Sequence, residues 1–167
     1  MTSIKRQEWV TLGFRGLMAW VFLYAAFHQI TDSNWSVAGF LGHTKTFHDV
    51  YSWFATPAVA PTISFLVKYG HLLIGLSLLF GLFVRASTSA GIVLMILYWT
   101  AHMDWPFIEN QNNFLVSYHI IYAMTLTYLF AAQAGHVWGL DGWLEKRPFR
   151  KSFGLRKETQ EITASVF

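Results

Sequence analysis

Four apolar runs limit what this chain can fold into, because each approaches the ~20 residues a helix needs to cross ~30 Å of hydrocarbon. They fall near residues 9–30, 62–84, 86–102 and 114–134. Composition agrees: 54% of the residues are hydrophobic and only 13% are charged, about half the charged fraction of a soluble domain. Such a chain cannot cover itself with polar surface, so lipid is its natural solvent. The expected fold is an all-α membrane protein, a four-transmembrane-helix bundle occupying residues 1–145, followed by a basic tail over 146–167. The first run follows Lys5 and Arg6 as a leader would. It is too long for a leader's apolar region, holds Arg15 and shows no convincing small-residue cleavage site, so it reads as retained.

The connections differ in character. Residues 31–61 are rich in aromatics and histidines, and Phe40, Thr44, Phe47, Tyr51 and Phe54 recur at helical spacing. That spacing predicts one short helix lying in the membrane interface, with Pro57 and Pro61 at its exit. A tight turn around Arg85 joins the second and third runs. A polar segment, 103–113, joins the third and fourth and contains Trp105-Pro106 and an Asn/Gln cluster.

Charge orients the bundle. Lys5, Arg6, Arg15, Arg85, Lys146, Arg147, Arg150, Lys151, Arg156 and Lys157 fall on the side that holds both termini, ten of the 12 basic residues. The other side keeps Lys45 and Lys68 beside Asp32, Asp49, Asp104 and Glu109. An excess of Lys and Arg marks cytoplasmic loops, so a multi-pass plasma-membrane protein with both termini in the cytoplasm is expected. Gly70, Gly75, Ser77 and Gly81, with Ala86, Ala90 and Gly91, are small residues at helical spacing in the second and third runs. They predict close helix packing. Arg15 is expected to snorkel or to bind lipid phosphate.

Histidines are concentrated at one end. Six of the seven (His28, His43, His48, His71, His102 and His119) map to the outer half or the outer loops, and only His136 lies inward. Tyr24 and His28, like Tyr98 and His102, are four apart and share a helix face; His119 and Tyr122 are three apart. These rings predict one pocket just below the outer surface. The plainer reading is that Tyr, Trp and His collect at membrane interfaces, being apolar at one end and wet at the other. His71 and His119 stand out from it, since they lie one to two turns inside their helices, where an ionisable group is costly.

Such a pocket suits a quinone. Its ring needs an apolar slot, and its carbonyls need donors that also supply protons, which Tyr and His do near neutral pH. His119, Tyr122 and His71 are the candidate catalytic groups. Tyr24, His28, Tyr98, His102, Trp105 and Asn113 are the candidate quinone contacts. Lys68 either draws in an anionic reductant or snorkels. A metal site from His102, Asp104 and another histidine is the alternative, without an HExxH or CxxC motif behind it. The chain has no cysteine, which removes disulfides, thiolate metal sites and c-type haem attachment, and it carries no haem, flavin or metal motif. Its short basic tail fits anionic lipid or a partner subunit rather than nucleic acid.

The run Trp35-Ser-Val-Ala-Gly39, Tyr69-Gly70 leading to Gly75, and Gly81-Leu-Phe-Val-Arg85 resemble the DoxD/DoxX family. So do Asn113-Phe-Leu-Val-Ser-Tyr-His119-Ile-Ile-Tyr122 and Gly139-Leu-Asp141-Gly-Trp143. The likeness spans roughly residues 15–144 and is nearer to the DoxD branch, the small membrane subunit of archaeal thiosulfate:quinone oxidoreductase. It implies a four-helix membrane subunit that works with a second subunit, DoxA, and passes electrons from thiosulfate to quinone, giving tetrathionate. Trp35, Gly39, Arg85, Asn113, His119, Tyr122 and Asp141 match the family's recurring positions. The alternative function is a non-catalytic accessory subunit of a larger membrane complex, binding lipid and neighbouring helices.

Overall fold

The protein is seen in a computed structural model that describes residues 3–108 and 110–146, with side chains over 5–108 and 114–146. The tail expected over 146–167 therefore falls almost wholly outside the described residues. The elements, in chain order, are α1 (Ser3–Thr31), α2 (Val37–Leu41), α3 (His48–Phe54), α4 (Ala60–Phe80) and α5 (Val84–Ala101). Then come β1 (Met103–Asp104), β2 (Phe107–Ile108), β3 (Asn110–Phe114), α6 (Tyr118–Ala131) and α7 (Leu140–Glu145).

Among the described residues, α1, α4 and α5 are the helices long and apolar enough to cross a membrane. The fourth apolar run divides differently. β3 takes its beginning, and α6 keeps 14 residues, a length of about 21 Å at 1.5 Å per residue.

Neighbouring long helices run in opposite directions, as three tiers of contact show. At one end, which we call the arginine end, Arg15 of α1 bonds to the carbonyl of Ala134 beyond α6. There Gly81, just past α4, lies so near Gly139 that a Cβ on it would stand 2.6 Å from that residue's Cα. In the middle, Gly75 of α4 faces Leu23 of α1, and Gly91 of α5 faces Leu126 of α6 and Phe22 of α1. At the other, histidine end, His71 of α4 stacks on Tyr98 of α5, which meets His119 of α6. Phe22, Ile74, Leu78, Val84, Met95, Leu126 and Leu129 fill the space between the outer tiers.

The closest helix pairs are α1 with α4 and α5 with α6. The small residues of the second and third runs thus serve different partners. A Cβ on Gly75 would lie 2.7 Å from Leu23 Cγ and one on Gly91 2.9 Å from Leu126 Cδ1, whereas Gly70 has nothing within 4 Å. Close approach gives the van der Waals contact on which helix association in lipid depends.

Three expectations need correcting. The turn after α4 is not centred on Arg85: Gly81 (φ 67°) and Phe83 (φ 55°) take left-handed conformations, and Arg85 sits in the first turn of α5. Glycine adopts that conformation without the Cβ clash other residues meet, so it ends the helix four residues early. The single interfacial helix expected over Phe40–Phe54 is two short helices. Thr44 Oγ1 bonds back to the Leu41 carbonyl, and left-handed Phe47 (φ 55°) breaks the periodicity, leaving that ring 62% exposed. The all-α expectation also misses a three-stranded antiparallel sheet, order β1-β2-β3, between α5 and α6. Its first two strands turn at Trp105-Pro106 and bury Met103 and Ile108.

Candidate functional site

Ring contacts at the histidine end form one connected cluster. His71 lies 5.8 Å from Tyr98, Tyr98 5.8 Å from His119, and His119 4.7 Å from His102 and 4.1 Å from Tyr118. Phe22 and Phe40 extend it, 5.6 Å from His71 and 4.6 Å from His102. The cluster lines a half-open cavity of about 520 Å³ bordered by α1, α2, α3, α4, α5 and α6. Its walls are mainly apolar and aromatic: Phe22, Trp35, Phe40, Tyr51, Phe54 and Met95 stand among them, and among the described residues no Lys, Arg, Asp or Glu does.

The short helices border this cavity because each is tied to a long one. Ser64 Oγ of α4 accepts the Val37 N–H at 3.1 Å, Ser36 caps the same helix through the Ala38 N–H, and the Tyr51 hydroxyl donates to the Leu97 carbonyl at 3.0 Å. The sheet is tied in by the Thr46 N–H on the Met103 carbonyl and by the Lys45–Asp104 ion pair.

Local bonds set the tautomers. His71 Nδ1 lies 2.8 Å from the Val67 carbonyl, and His102 Nδ1 lies 2.8 Å from that of Tyr98. A carbonyl only accepts, so each Nδ1 carries the proton and the ring's remaining nitrogen, Nε2, is the basic one. His119 Nδ1 lies 3.3 Å from Ser117 Oγ at the start of α6. His71 and His119 are 3% and 4% exposed.

Five sequence-predicted residues share this cavity: His71, Tyr98, His102, His119 and Tyr122. Five do not. Tyr24 and His28 pair at 4.5 Å on the exposed face of α1. Their spacing puts them on one face, and that face is the outer one. Trp105, in the turn of the sheet, is 68% exposed. Lys68 lies outside the lining, with Nζ 5.2 Å from the ring centre of Trp35, which is itself a wall residue. Asn113 is part of β3, and its side chain is outside the described ones. Asp104, the metal alternative's carboxylate, pairs with Lys45, and no three His, Asp or Glu side chains gather as a metal site among the described residues.

Gln29 was missed. It lines the cavity, interacts with the Tyr98 hydroxyl, and has a buried Oε1 without a hydrogen-bond partner, a state that costs about 1–3 kcal/mol. The signal for it was the spacing of Thr11, Arg15, Met18, Phe22, Ala26 and Gln29, a helical stripe with polar residues at both ends.

The arginine end is built differently. Arg15 does not snorkel: it is 3% exposed and donates to the carbonyls of Ala134 and Val137, both at 2.6 Å, and of Trp138 at 3.4 Å. The chain leaving α6 supplies only the Val137 N–H, to the Ala134 carbonyl, so Arg15 is the donor that ties these carbonyls together. The Asp141 carboxylate accepts the N–H groups of Phe83 (2.8 Å) and Val84 (3.1 Å) at the start of α5, and the Asp141 N–H bonds to the Gly81 carbonyl. Gly81-to-Arg85 and Gly139-to-Trp143, two separate motifs in the sequence, thus meet as one clasp.

Long apolar helices, small-residue packing and a cavity walled by rings define a helical membrane protein with an internal pocket. A family model described as DoxX matches residues 10–103, more than half of the chain, and the protein belongs to the DoxX family of membrane proteins. The match takes in Arg15, His71, Tyr98 and His102 and ends before α6. No curated protein and no solved structure matches the chain.

Proposed function

We propose that this DoxX-family protein is a DoxD-like subunit of a membrane oxidoreductase, whose cavity takes the ring of a membrane quinone for reduction by thiosulfate or a similar reductant. The observation that carries the reading is the 520 Å³ cavity, apolar along its walls and supplied with three imidazoles and several phenols from α4, α5 and α6. Those are the groups that bind a quinone's carbonyls and deliver protons to them. In balanced form, two thiosulfate ions give tetrathionate and two electrons, and the quinone takes these with two protons to become the hydroquinone. His119 donates to one carbonyl, assisted by Tyr122 or His71. Lys68, against the Trp35 wall, draws the anion toward the site.

In this reading the chain crosses the plasma membrane four times, with both termini in the cytoplasm and the short helices α2 and α3 at the outer interface. The excess of Lys and Arg at the arginine end supports the orientation. The short α6 is compatible with a fourth crossing, because non-helical backbone is tolerated at membrane depth where protein covers it. Ser117 and Ala134, beyond its two ends, are 6% and 0% exposed, and Arg15 serves the carbonyls there.

Thiosulfate-dependent quinone reduction by the purified protein in lipid, alone and with its copurifying partners, tests this. Full activity in a folded His119→Ala variant would remove the assigned role. An accessory subunit is the second reading, and a DoxA-like chain or a larger complex is the partner in either. It is favoured by the exposed row of Trp20, Tyr24, Phe27 and His28 on α1, whose rings touch in sequence at 4.5–5.9 Å, a surface suited to lipid or a neighbouring helix. Copurification with a redox enzyme, and no turnover without it, would decide for that reading.

A further inference from the structure

The side on which the cavity is open says what kind of molecule enters it. Between α4 and α5 the short helices cover it, α2 bonded to α4 through Ser64 and α3 to α5 through Tyr51. The seam between α1 and α6 has no such cover. Of the neighbouring pairs around the bundle these two helices touch least, and among the described residues no further element packs closely on both. They are bridged toward the arginine end, where Thr11 Oγ1 meets the Tyr128 hydroxyl at 2.8 Å and Phe14 lies edge-on to the Tyr128 ring at 5.7 Å. Beyond that bridge, toward the histidine end, both helices line the cavity, α1 through Val21 and Ala25 and α6 through Tyr118 and Tyr122. Tyr118 is a wall residue and yet 47% exposed, as a side chain at a mouth is.

The same seam carries a second, more open groove of about 340 Å³, lined by Phe14 of α1 and by Ile120, Ile121, Met124, Thr125 and Tyr128 of α6. Helical spacing makes the groove run on from the cavity. Phe14 and Val21 are seven apart on one face of α1, and on α6 Ile121 lies three beyond Tyr118 and Thr125 three beyond Tyr122. From Tyr122 to Tyr128 is about 9 Å along the helix. The groove's two hydroxyls are already used, Thr125 on the Ile121 carbonyl at 2.8 Å and Tyr128 on Thr11. What it offers an occupant is therefore hydrocarbon.

We propose that the α1–α6 seam is a lateral door from the bilayer, and that the groove takes the apolar tail of the molecule whose ring occupies the cavity. This rests on the quinone reading and adds to it the class of quinone, one with a long hydrocarbon tail, its route of entry and the residues that hold the tail. Entry through the seam lets the chain stay in hydrocarbon while the ring reaches the imidazoles. A phospholipid keeps its headgroup at the membrane surface, whereas this groove leads into a ring-sized cavity.

The test uses the full-length protein in lipid nanodiscs and two probes with one benzoquinone ring, the first without a tail and the second with a decyl tail. Binding is taken per quinone dissolved in the lipid, which removes the tail's general preference for the bilayer. The decyl probe is expected to bind about fivefold more tightly, a modest gain because a chain leaving lipid for protein gains only contact. With a diazirine at the end of its tail, it is expected to label residues 14 and 120–128 on irradiation. Thr125→Trp, which fills the groove, is expected to remove the tail's advantage. Leu73→Trp, on an exposed face of α4, is expected to keep it. Unfolding of both variants is followed alongside, and the wild-type labelling stands without any variant. Equal binding of the two probes by the wild type overturns the proposal, as does labelling spread evenly over exposed residues such as Leu73. So does a folded Thr125→Trp variant that keeps the tail's advantage or weakens both probes alike. Labelling of the groove by a diazirine-tailed phospholipid that excess decyl probe does not displace assigns it to ordinary lipid and overturns the proposal too. Binding of neither probe would instead overturn the quinone reading itself.

Discussion

The two ends of the molecule both bury polar groups, yet they treat them in opposite ways. At the arginine end, no buried side-chain polar atom among the described residues lacks a partner: Arg15 meets three backbone carbonyls, and Asp141 two backbone N–H groups. At the histidine end, His71, His119 and Gln29 surround a cavity, and the Gln29 Oε1 has no partner. Burial by itself therefore does not mark a site. A buried polar group whose bonds are all made within the chain holds the fold together, whereas the imidazoles along the cavity wall stand where a ligand can reach them.

Substitutions at the two ends test this contrast. Arg15→Met should have the largest effect on stability, about 1–3 kcal/mol, since it leaves the Val137 carbonyl without its donor and the Ala134 carbonyl with only the Val137 N–H. Unfolding of the protein in lipid measures it, and a near-neutral result would break the contrast. His119→Ala should do the reverse, lowering quinone reduction roughly a hundredfold, the usual scale of a lost acid–base group, while unfolding shifts less than for Arg15→Met. Asp141→Ala removes the N-terminal cap of α5 and should cost about 1–2 kcal/mol without a change in quinone affinity. Lys45→Ala should have the smallest effect, below about 1 kcal/mol and vanishing as salt is raised, because both partners of that ion pair are exposed. A larger loss there would mean that the sheet is held by more than its own ladder and the Thr46 contact.

Much of the histidine end was legible in the sequence. His71, Tyr98, His102, His119 and Tyr122 were expected in one pocket and line one cavity, because an imidazole or phenol within an apolar run has few places to go. Tyr24 and His28 show where that reasoning stops. Their spacing put them on one face, as found, but could not say that the face looks outward. In a soluble helix the polar side identifies the surface. In α1, Leu17, Trp20 and Phe27 are exposed while Met18, Phe22 and Ala26 are buried, so apolar residues cover both sides and periodicity loses its meaning.

What the sequence by itself determined is α1, α4 and α5 as long apolar helices, Gly75 and Gly91 as points of close packing, and a histidine-rich end apart from Arg15 and Arg85. These follow from length, composition and local sterics, which need no distant partner. Only the tertiary structure decided which face of each helix turns inward, that Gly81 and Gly139 meet, and that the residues around Trp105-Pro106 pair as a sheet. It also decided that Arg15 satisfies carbonyls more than a hundred residues away, and that Gln29 lines the cavity. Each of those outcomes depends on what another segment brings to the same place, so no local pattern records it.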